Sequence, residues 1–314
     1  MITIKKKNVK MYRAFGLNLT SDIDLLELLE VKGIESNTDL KIIKKNVKDY
    51  PEQLINNKNS FFINENFICF QIKSVGIFMV EKGCQISFWP LEEADEDLIR
   101  LYLLGSCMGA ILLQRKILPL HGSAVEVNGK AYAIVGDSGA GKSTLASALM
   151  KMGCKLITDD VIPVTLNSDN IPIVTPAYPH QKLWLESLNA FGMNSANYKS
   201  IFNRETKYSI PVNNQFVHNP LPLSGVIELN KYDGSEVILK PLNKLSCLQT
   251  LYNHTYRNFY ISQMGLTEWH FKTTAALAEK INIFQLNRPA DLFTANDLAR
   301  KIVEVSLKGE TING

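Results

Sequence analysis

Eight consecutive residues, Gly136, Asp137, Ser138, Gly139, Ala140, Gly141, Lys142 and Ser143, fit the pattern G-x-x-x-x-G-K-[ST]. Glycines in such a loop let backbone N–H groups turn inward around phosphate oxygens, where a Cβ would hinder the approach. Lys142 then reaches the outer phosphates of a nucleotide, and the Ser143 hydroxyl is a ligand for Mg²⁺. A second chemical group follows, the pair Asp159 and Asp160. One carboxylate can hold Mg²⁺, directly or through water, and the other can accept a proton from an attacking hydroxyl. The competing readings are a plain glycine-rich turn for the loop and a turn-capping role for either aspartate.

The elements that must position these groups are legible around them. Ala131 to Val135 is an apolar run that reads as a buried strand emptying into the loop, and a helix starting near Lys142 adds its positive dipole end. That helix runs on through Leu145 to Met152 and closes at Gly153. Cys154 to Thr158 reads as a brief strand ending in the aspartates, which places both at a strand's carboxyl end, where open α/β sheets collect ligands. Neighbouring side chains on a strand point to opposite sides, so the two acids are expected to serve different roles. Upstream, Val125 to Val127 and Ala131 to Val135 flank an Asn128-Gly129 turn and form a hairpin. His121 begins the first strand of that hairpin and is a candidate for a phosphate-side role, against the alternative of a satisfied core histidine.

Composition bounds the remaining classes. The 314 residues allow one or two domains with a real core. A formal net charge of +3 is too small to argue for nucleic acid, and the cluster Lys5 to Lys7 reads as a solvated terminus. Five cysteines without a C-x-x-C pair read as reduced residues of a cytoplasmic protein, neither disulfides nor zinc ligands. Met1 to Lys10 is polar and basic, unlike a signal peptide, and the most apolar segment, Leu101 to Leu113, is too short to span a bilayer. No membrane partner is expected.

The first part of the chain is poor in chemistry and rich in strands. Met11 to Leu28 reads as a strand and a turn, Asp39 to Val47 as a second strand, and FFINENF, FICFQIK, VGIFMVEK and CQISFWP between Phe61 and Pro90 as several more. This is a small β-rich N-terminal domain, residues 1–90, that either covers the rest or holds a polypeptide substrate. Glu92 to Asp97 opens a buried helix running to about Arg115 and the second domain, residues 91–314. Further on, two short strands are expected within Val161 to Val174 and a short helix over Leu183 to Phe191. Val226 to Leu229 and Val237 to Leu239 are expected to pair with each other. Helices are expected over Leu242 to Leu251, Thr273 to Lys280 and Thr294 to Leu307, with a strand over Asn282 to Leu286. The Asn-rich, aperiodic stretch Asn194 to Asn219 reads as a loop.

His121 to Val161, HGSAVEVNGKAYAIVGDSGAGKSTLASALMKMGCKLITDDV, resembles the catalytic core of the HPr kinase/phosphorylase family, a P-loop group related in fold to the ATP-type phosphoenolpyruvate carboxykinases. The resemblance rests on the His-Gly before an N-G hairpin, the GDSGxGKS loop, and an Asp-Asp pair after a single short helix. Weaker echoes lie in Pro176 to Leu188 and Leu286 to Val303. Adenylate-type kinases would need a lid of clustered arginines, which is absent. The fold implied is an α/β P-loop kinase core of the HPr kinase/phosphoenolpyruvate carboxykinase type.

By this resemblance Lys142 is the phosphate lysine, Ser143 the Mg²⁺ hydroxyl, Asp160 the base for a target serine, and His121 a neighbour of the transferred phosphate. Asp159 supports the metal, and ATP is cradled by residues 136 to 143 with the adjoining Thr144. The bifunctional enzymes usually carry Glu where Thr144 stands, and their downstream glycine-rich segment is not recognisable, with Glu186 only a weak substitute. A kinase is therefore expected and a phosphorylase is not. YRAFGL and SDIDLLEL further resemble the serine kinases that tailor lasso peptides, which implies the C-terminal serine of a precursor peptide as acceptor. Lys182, Arg204, Lys207, Arg257 and Arg288 are the candidate readers of that peptide's carboxylate. Three classes stay open: a peptide- or protein-serine kinase, a small-molecule kinase, and a nucleotide-binding regulator. A homo-oligomer is compatible with each.

Overall fold

The computed structural model describes residues 10–31, 37–46, 61–201 and 204–312; the Lys5 to Lys7 cluster lies outside them. Eight strands form the first sheet: β1 (Lys10–Ala14), β2 (Leu17–Ser21), β3 (Leu29–Glu30), β4 (Leu40–Lys44), β5 (Phe61–Asn64), β6 (Phe67–Ile72), β7 (Gly76–Glu81) and β8 (Gln85–Pro90). Their order is β3-β1-β2-β4-β8-β7-β6-β5. The stretch expected to give one strand and a turn instead folds as a hairpin, because Phe15 and Gly16 both take positive φ (55° and 75°) and reverse the chain tightly.

Three helical segments follow without a break: α1 (Glu96–Tyr102), a π-helical turn (Leu103–Cys107) and α2 (Met108–Gln114). Asp95 caps α1 by accepting from the N–H groups of Asp97 (2.7 Å) and Leu98 (3.3 Å), and Glu96 and Asp97 complement the dipole of the first turn. The apolar face of this helix packs into one core with the first sheet, joined by Val161, Tyr178 and Tyr260 from further along.

The second sheet carries β9 (Leu118–Val127), β10 (Lys130–Val135), β11 (Lys155–Leu166), β12 (Pro172–Val174), β16 (Leu221–Tyr232), β17 (Ile238–Pro241) and β18 (Asn282–Pro289). Its order is β10-β9-β11-β12-β16-β18-β17, with β10 also pairing in parallel with β16. Between these come β13 (His180–Trp184), β14 (Lys199–Ile201) and β15 (Arg204–Pro211), which form a separate three-stranded antiparallel sheet. The remaining helices are α3 (Lys142–Lys151), α4 (Leu185–Ala190), α5 (Lys244–Asn253), α6 (Phe259–Gln263), α7 (Thr267–Lys280) and α8 (Ala295–Ile312).

Side-chain alternation along β10 builds a three-layer sandwich. Tyr132 and Ile134 face a core shared with α3 and α8, whereas Ala131, Ala133 and Val135 face one shared with α5 and α7. The fold is thus a mixed α/β P-loop core preceded by a β-rich N-terminal module.

Three local expectations are corrected. β11 does not stop at the aspartates but continues to Leu166, because β9 pairs with it along its length, Asp159 opposite Ser123 and Asp160 opposite Gly122. β16 and β17 do not pair with each other; β18 lies between them, parallel to β16 and antiparallel to β17. The Asn-rich stretch carries two strands, β14 and β15, because β15 pairs with β13 on one side and β14 on the other, which satisfies a backbone whose polar side chains carry little periodicity.

Candidate active site

β10 delivers the loop at Val135, and α3 begins at Lys142 behind Gly141. Gly136 is required twice over: its φ is 146°, and a Cβ there would lie 2.4 Å from the Leu229 carbonyl oxygen of the neighbouring parallel strand. Gly141 caps α3 with φ 107° and supplies no side-chain hydrogen bond, so the first-turn N–H groups have no side-chain cap and suit an anion. Lys142 Nζ donates to the carbonyls of Gly136 (2.8 Å) and Asp137 (3.0 Å), which holds it over the loop. Arg288 braces the outside, with Nε donating to Ala140 O at 2.9 Å.

Asp159 is 4% exposed and fully engaged. Its Oδ1 accepts from Ser123 Oγ (2.5 Å) and Ser143 Oγ (3.0 Å), and its Oδ2 accepts from the Lys182 backbone N–H (2.8 Å). Asp160 takes φ 84°, a left-handed conformation uncommon for a side-chain-bearing residue, just after a register shift in the β9–β11 ladder. Its carboxylate pairs with Lys182 Nζ at 2.7 Å, and its carbonyl accepts from His121 Nδ1 at 3.1 Å. The kink interrupts ordinary alternation, so both carboxylates line one cavity of about 670 Å³ with the loop, contrary to the opposite-sided placement that strand geometry predicts.

Electrostatics follows from this packing. Burial opposes the Asp160 charge, but Lys182 and His121 outweigh it and hold the carboxyl well below its usual range. Lys182 is raised correspondingly: burial would discharge it, and Asp160 more than compensates. Burial lowers His121 despite the pull of Asp160, which favours a neutral ring whose Nδ1 carries the proton given to the Asp160 carbonyl. Burial likewise lowers Lys142 against the attraction of Asp159 and Asp160.

The structure therefore brings together His121, the loop residues 136 to 139 and 141 to 144, Asp159 and Asp160 around one cavity, with Ala140 buried behind the loop. Thr144 Oγ1 bonds Ser187 Oγ at 2.8 Å. Of the five basic candidates, Lys182, Lys207, Arg257 and Arg288 line the cavity, while the side chain of Arg204 lies outside the described residues. Lys207 sits over the Trp184 ring at 5.3 Å, and Arg257 Nη2 donates to Ser106 Oγ at 2.9 Å. Both weak echoes of the resemblance run along this wall: Lys182 and Trp184 belong to one, Arg288 to the other.

Several groups were not visible in the sequence. The π turn brings Gly105 against Tyr256 and Asp160: a Cβ there would lie 3.2 Å from Tyr256 Oη and 3.9 Å from Asp160 Oδ2. Tyr256 also packs on His121, ring centroids 5.5 Å apart. Behind His121, the His254 carbonyl accepts its N–H (2.7 Å), and His254 Nε2 meets Glu228 Oε1 at 3.1 Å. Glu228 also accepts from Gln285 and Thr250, and the hydrogen bond from His254 is the main cause of its lowered pKa. Only the parallel pairing of β10 with β16, Val135 opposite Glu228, places this network beside the loop.

The donor set fits Mg²⁺ held together with phosphate. Ser143 and Asp159 supply hard oxygens 3.0 Å apart, and among the described residues no cluster of three His, Cys, Asp or Glu builds a protein-only cage.

Comparison with known proteins matches part of the chain. Residues 114–202 match the family model described as the HPr Serine kinase C-terminal domain. An HPr kinase/phosphorylase from Lactobacillus gasseri is 33% identical over 101 residues, covering 29% of this chain and 32% of its own. One from Nitrosomonas europaea is 27% identical over 157 residues, 46% of this chain and 48% of its own, and one from Clostridium botulinum is 49% identical over 45 residues, 14% and 15%. The chain thus spans about a third of the length of the Lactobacillus relative. Among solved structures, the Hpr(Ser) kinase/phosphatase from Coxiella burnetii aligns with a TM-score of 0.33 and 14% identity over 62% of this chain and 99% of that one.

Proposed function

We propose that this chain is an ATP- and Mg²⁺-dependent serine kinase that transfers the γ-phosphoryl group to a serine hydroxyl of a peptide or protein. The observation that carries the reading is a phosphate loop and two carboxylates of different bonding around one cavity. Asp159 is tied to the Ser143 hydroxyl, and Asp160 is held apart from both at Lys182. A site that merely binds nucleotide needs one metal-supporting acid, and here a second one faces the same space.

Catalysis in this reading is positioning and charge neutralisation. The loop N–H groups and Lys142 hold the outer phosphates. Ser143 and Asp159 would hold Mg²⁺, which when bound would supply neutralising charge to the phosphate oxygens. Asp160 accepts a hydrogen bond from the serine hydroxyl and aims its oxygen along the transfer line, while neutral His121 sits beside it. In a loose, metaphosphate-like transition state the serine O–P bond forms as the bond to the ADP leaving group breaks, and the hydroxyl proton passes late to an oxygen of the transferred phosphoryl group, so an acid kept ionised by Lys182 serves as an orienting acceptor.

The HPr-type resemblance supports a protein serine as acceptor. The finer proposal is the C-terminal serine of a lasso peptide precursor, supported by the likeness of YRAFGL and SDIDLLEL to the lasso tailoring kinases and by Lys182, Lys207 and Arg257, which line the same cavity as the carboxylates. A cytoplasmic location accords with this. Incubation with ATP, Mg²⁺, HPr and candidate precursor peptides, read by mass, tests both levels. Phosphate on a precursor's terminal serine supports the finer proposal, phosphate on HPr alone keeps only the broader one, and transfer to no serine overturns both.

A further inference from the structure

A second cavity of about 210 Å³ adjoins the first, and Leu101, Lys182 and Ile201 line both. None of the phosphate-loop residues lines it, and Lys182, the partner of Asp160, borders both cavities. Its walls are largely apolar, with Leu104 and Tyr178 inside and Leu26, 66% exposed, contributed by the N-terminal module. The volume is about seven waters' share of the liquid, enough for one leucine- or phenylalanine-sized side chain.

Charge ties three separate parts of the chain around this space. Glu27 of the N-terminal module accepts from Arg100 Nε at 3.1 Å, Arg100 also pairs with Asp97, and Asp97 pairs with Lys199 of β14. Glu27, which lines the cavity, keeps its second oxygen buried with no hydrogen-bond partner among the described residues. A buried carboxylate oxygen calls for a donor, and an extended peptide offers backbone N–H groups beside its side chains.

We infer that this cavity is an acceptor subsite, taking a large apolar side chain within two residues of the phosphorylated serine while a backbone N–H of that segment donates to Glu27. The inference rests on the kinase reading and assigns the N-terminal module a part in holding substrate. A cavity with apolar side chains beside a rim of paired charges, in which Glu27 keeps one oxygen unpartnered, suits a polypeptide better than a small polar alcohol, which would leave the apolar walls unfilled.

The test uses fluorescein-labelled Gly-Gly-Ser-Gly-Gly and versions with Phe, Leu or Asp at one or two positions either side of the serine. Each is titrated against the full chain by anisotropy and assayed with ATP and Mg²⁺ for phosphate transfer. Phe or Leu at one of these positions should tighten binding at least about tenfold over Gly, and Asp should not. Ser200→Trp, which fills the cavity from an exposed strand position, should abolish that gain and leave the melting temperature and the binding of a fluorescent ATP analogue unchanged. Equal binding of the Gly and Phe peptides at all four positions, a gain that survives Ser200→Trp, or displacement of the Phe peptide by adenosine would overturn the inference. An apolar gain lost in Ser200→Trp, with no serine phosphorylated on these peptides, on HPr or on the precursor peptides, would uphold a peptide subsite and overturn the kinase reading.

Discussion

A carboxylate facing an ammonium at 2.7 Å is a poor proton acceptor but a well-aimed hydrogen-bond acceptor, and Asp160 is in that state. Asp160→Asn keeps the shape and loses the charge. It should retain nucleotide binding and lower transfer about 10²-fold because the serine oxygen is no longer aimed, read as initial rates at saturating ATP. Equal turnover would remove Asp160 from the chemistry. Lys182→Met leaves the Asp160 charge half-buried without its partner and should destabilise the fold by about 2 kcal/mol, less than for a fully buried pair because both side chains keep some contact with solvent. Adding Asp160→Asn to Lys182→Met should recover much of that loss. Strictly additive losses in urea unfolding would show that the pair is uncoupled.

At the scale of elements, the loop is set by how closely the strands beneath it approach. Gly122 on β9 lies where a Cβ would come 2.0 Å from the Ile134 carbonyl oxygen of β10, two residues before the loop begins. Gly122→Ala therefore has to spread the hairpin, and overpacking of this kind costs about 1–3 kcal/mol. Denaturant unfolding should register that loss, together with weaker nucleotide affinity because the strand carrying the loop is displaced. Unchanged values for both would mean the hairpin absorbs the methyl group without moving. The same ladder holds the β11 kink at Asp160, a backbone conformation of the kind that stores about 1–3 kcal/mol of strain and persists only where neighbours impose it.

Across the whole molecule, the site is closed by a segment remote in sequence. The stretch carrying Tyr256 and Arg257 is fastened by the Tyr256 N–H to Pro119 O (2.7 Å) and by Thr255 Oγ1, which meets His270 Nε2 of α7 at 2.8 Å. His270 is buried, and that burial lowers its pKa from 6.5 to about 4. The folded protein thus binds this proton less readily than the unfolded chain, so the associated stability is fully present above about 6.5 and is lost as pH falls toward 4. The interval corresponds to about 3 kcal/mol. His270→Gln should therefore lose less stability than the native chain between pH 7 and pH 4, whatever its stability at neutrality. Parallel stability curves for the two proteins would assign acid sensitivity elsewhere.

Local sequence was enough for the phosphate loop, its strand and helix, the N-G hairpin, the four strands between Phe61 and Pro90 and the long buried helix, because each depends on glycine at a required conformation, on turn residues, or on short-range alternation of apolar residues. It also named Asp159 and Asp160 as a pair. Which of them meets Ser143 and which meets Lys182 depended on the kink at Asp160, imposed by β9 across the ladder. The place of β18 between β16 and β17, the strands within the Asn-rich stretch, the entry of Glu228, His254 and Tyr256 around the site, and the cavity shared with the N-terminal module were decided only in three dimensions. Side chains far apart in the chain meet through strand pairing and core packing, and neither leaves a local pattern in the residues it unites.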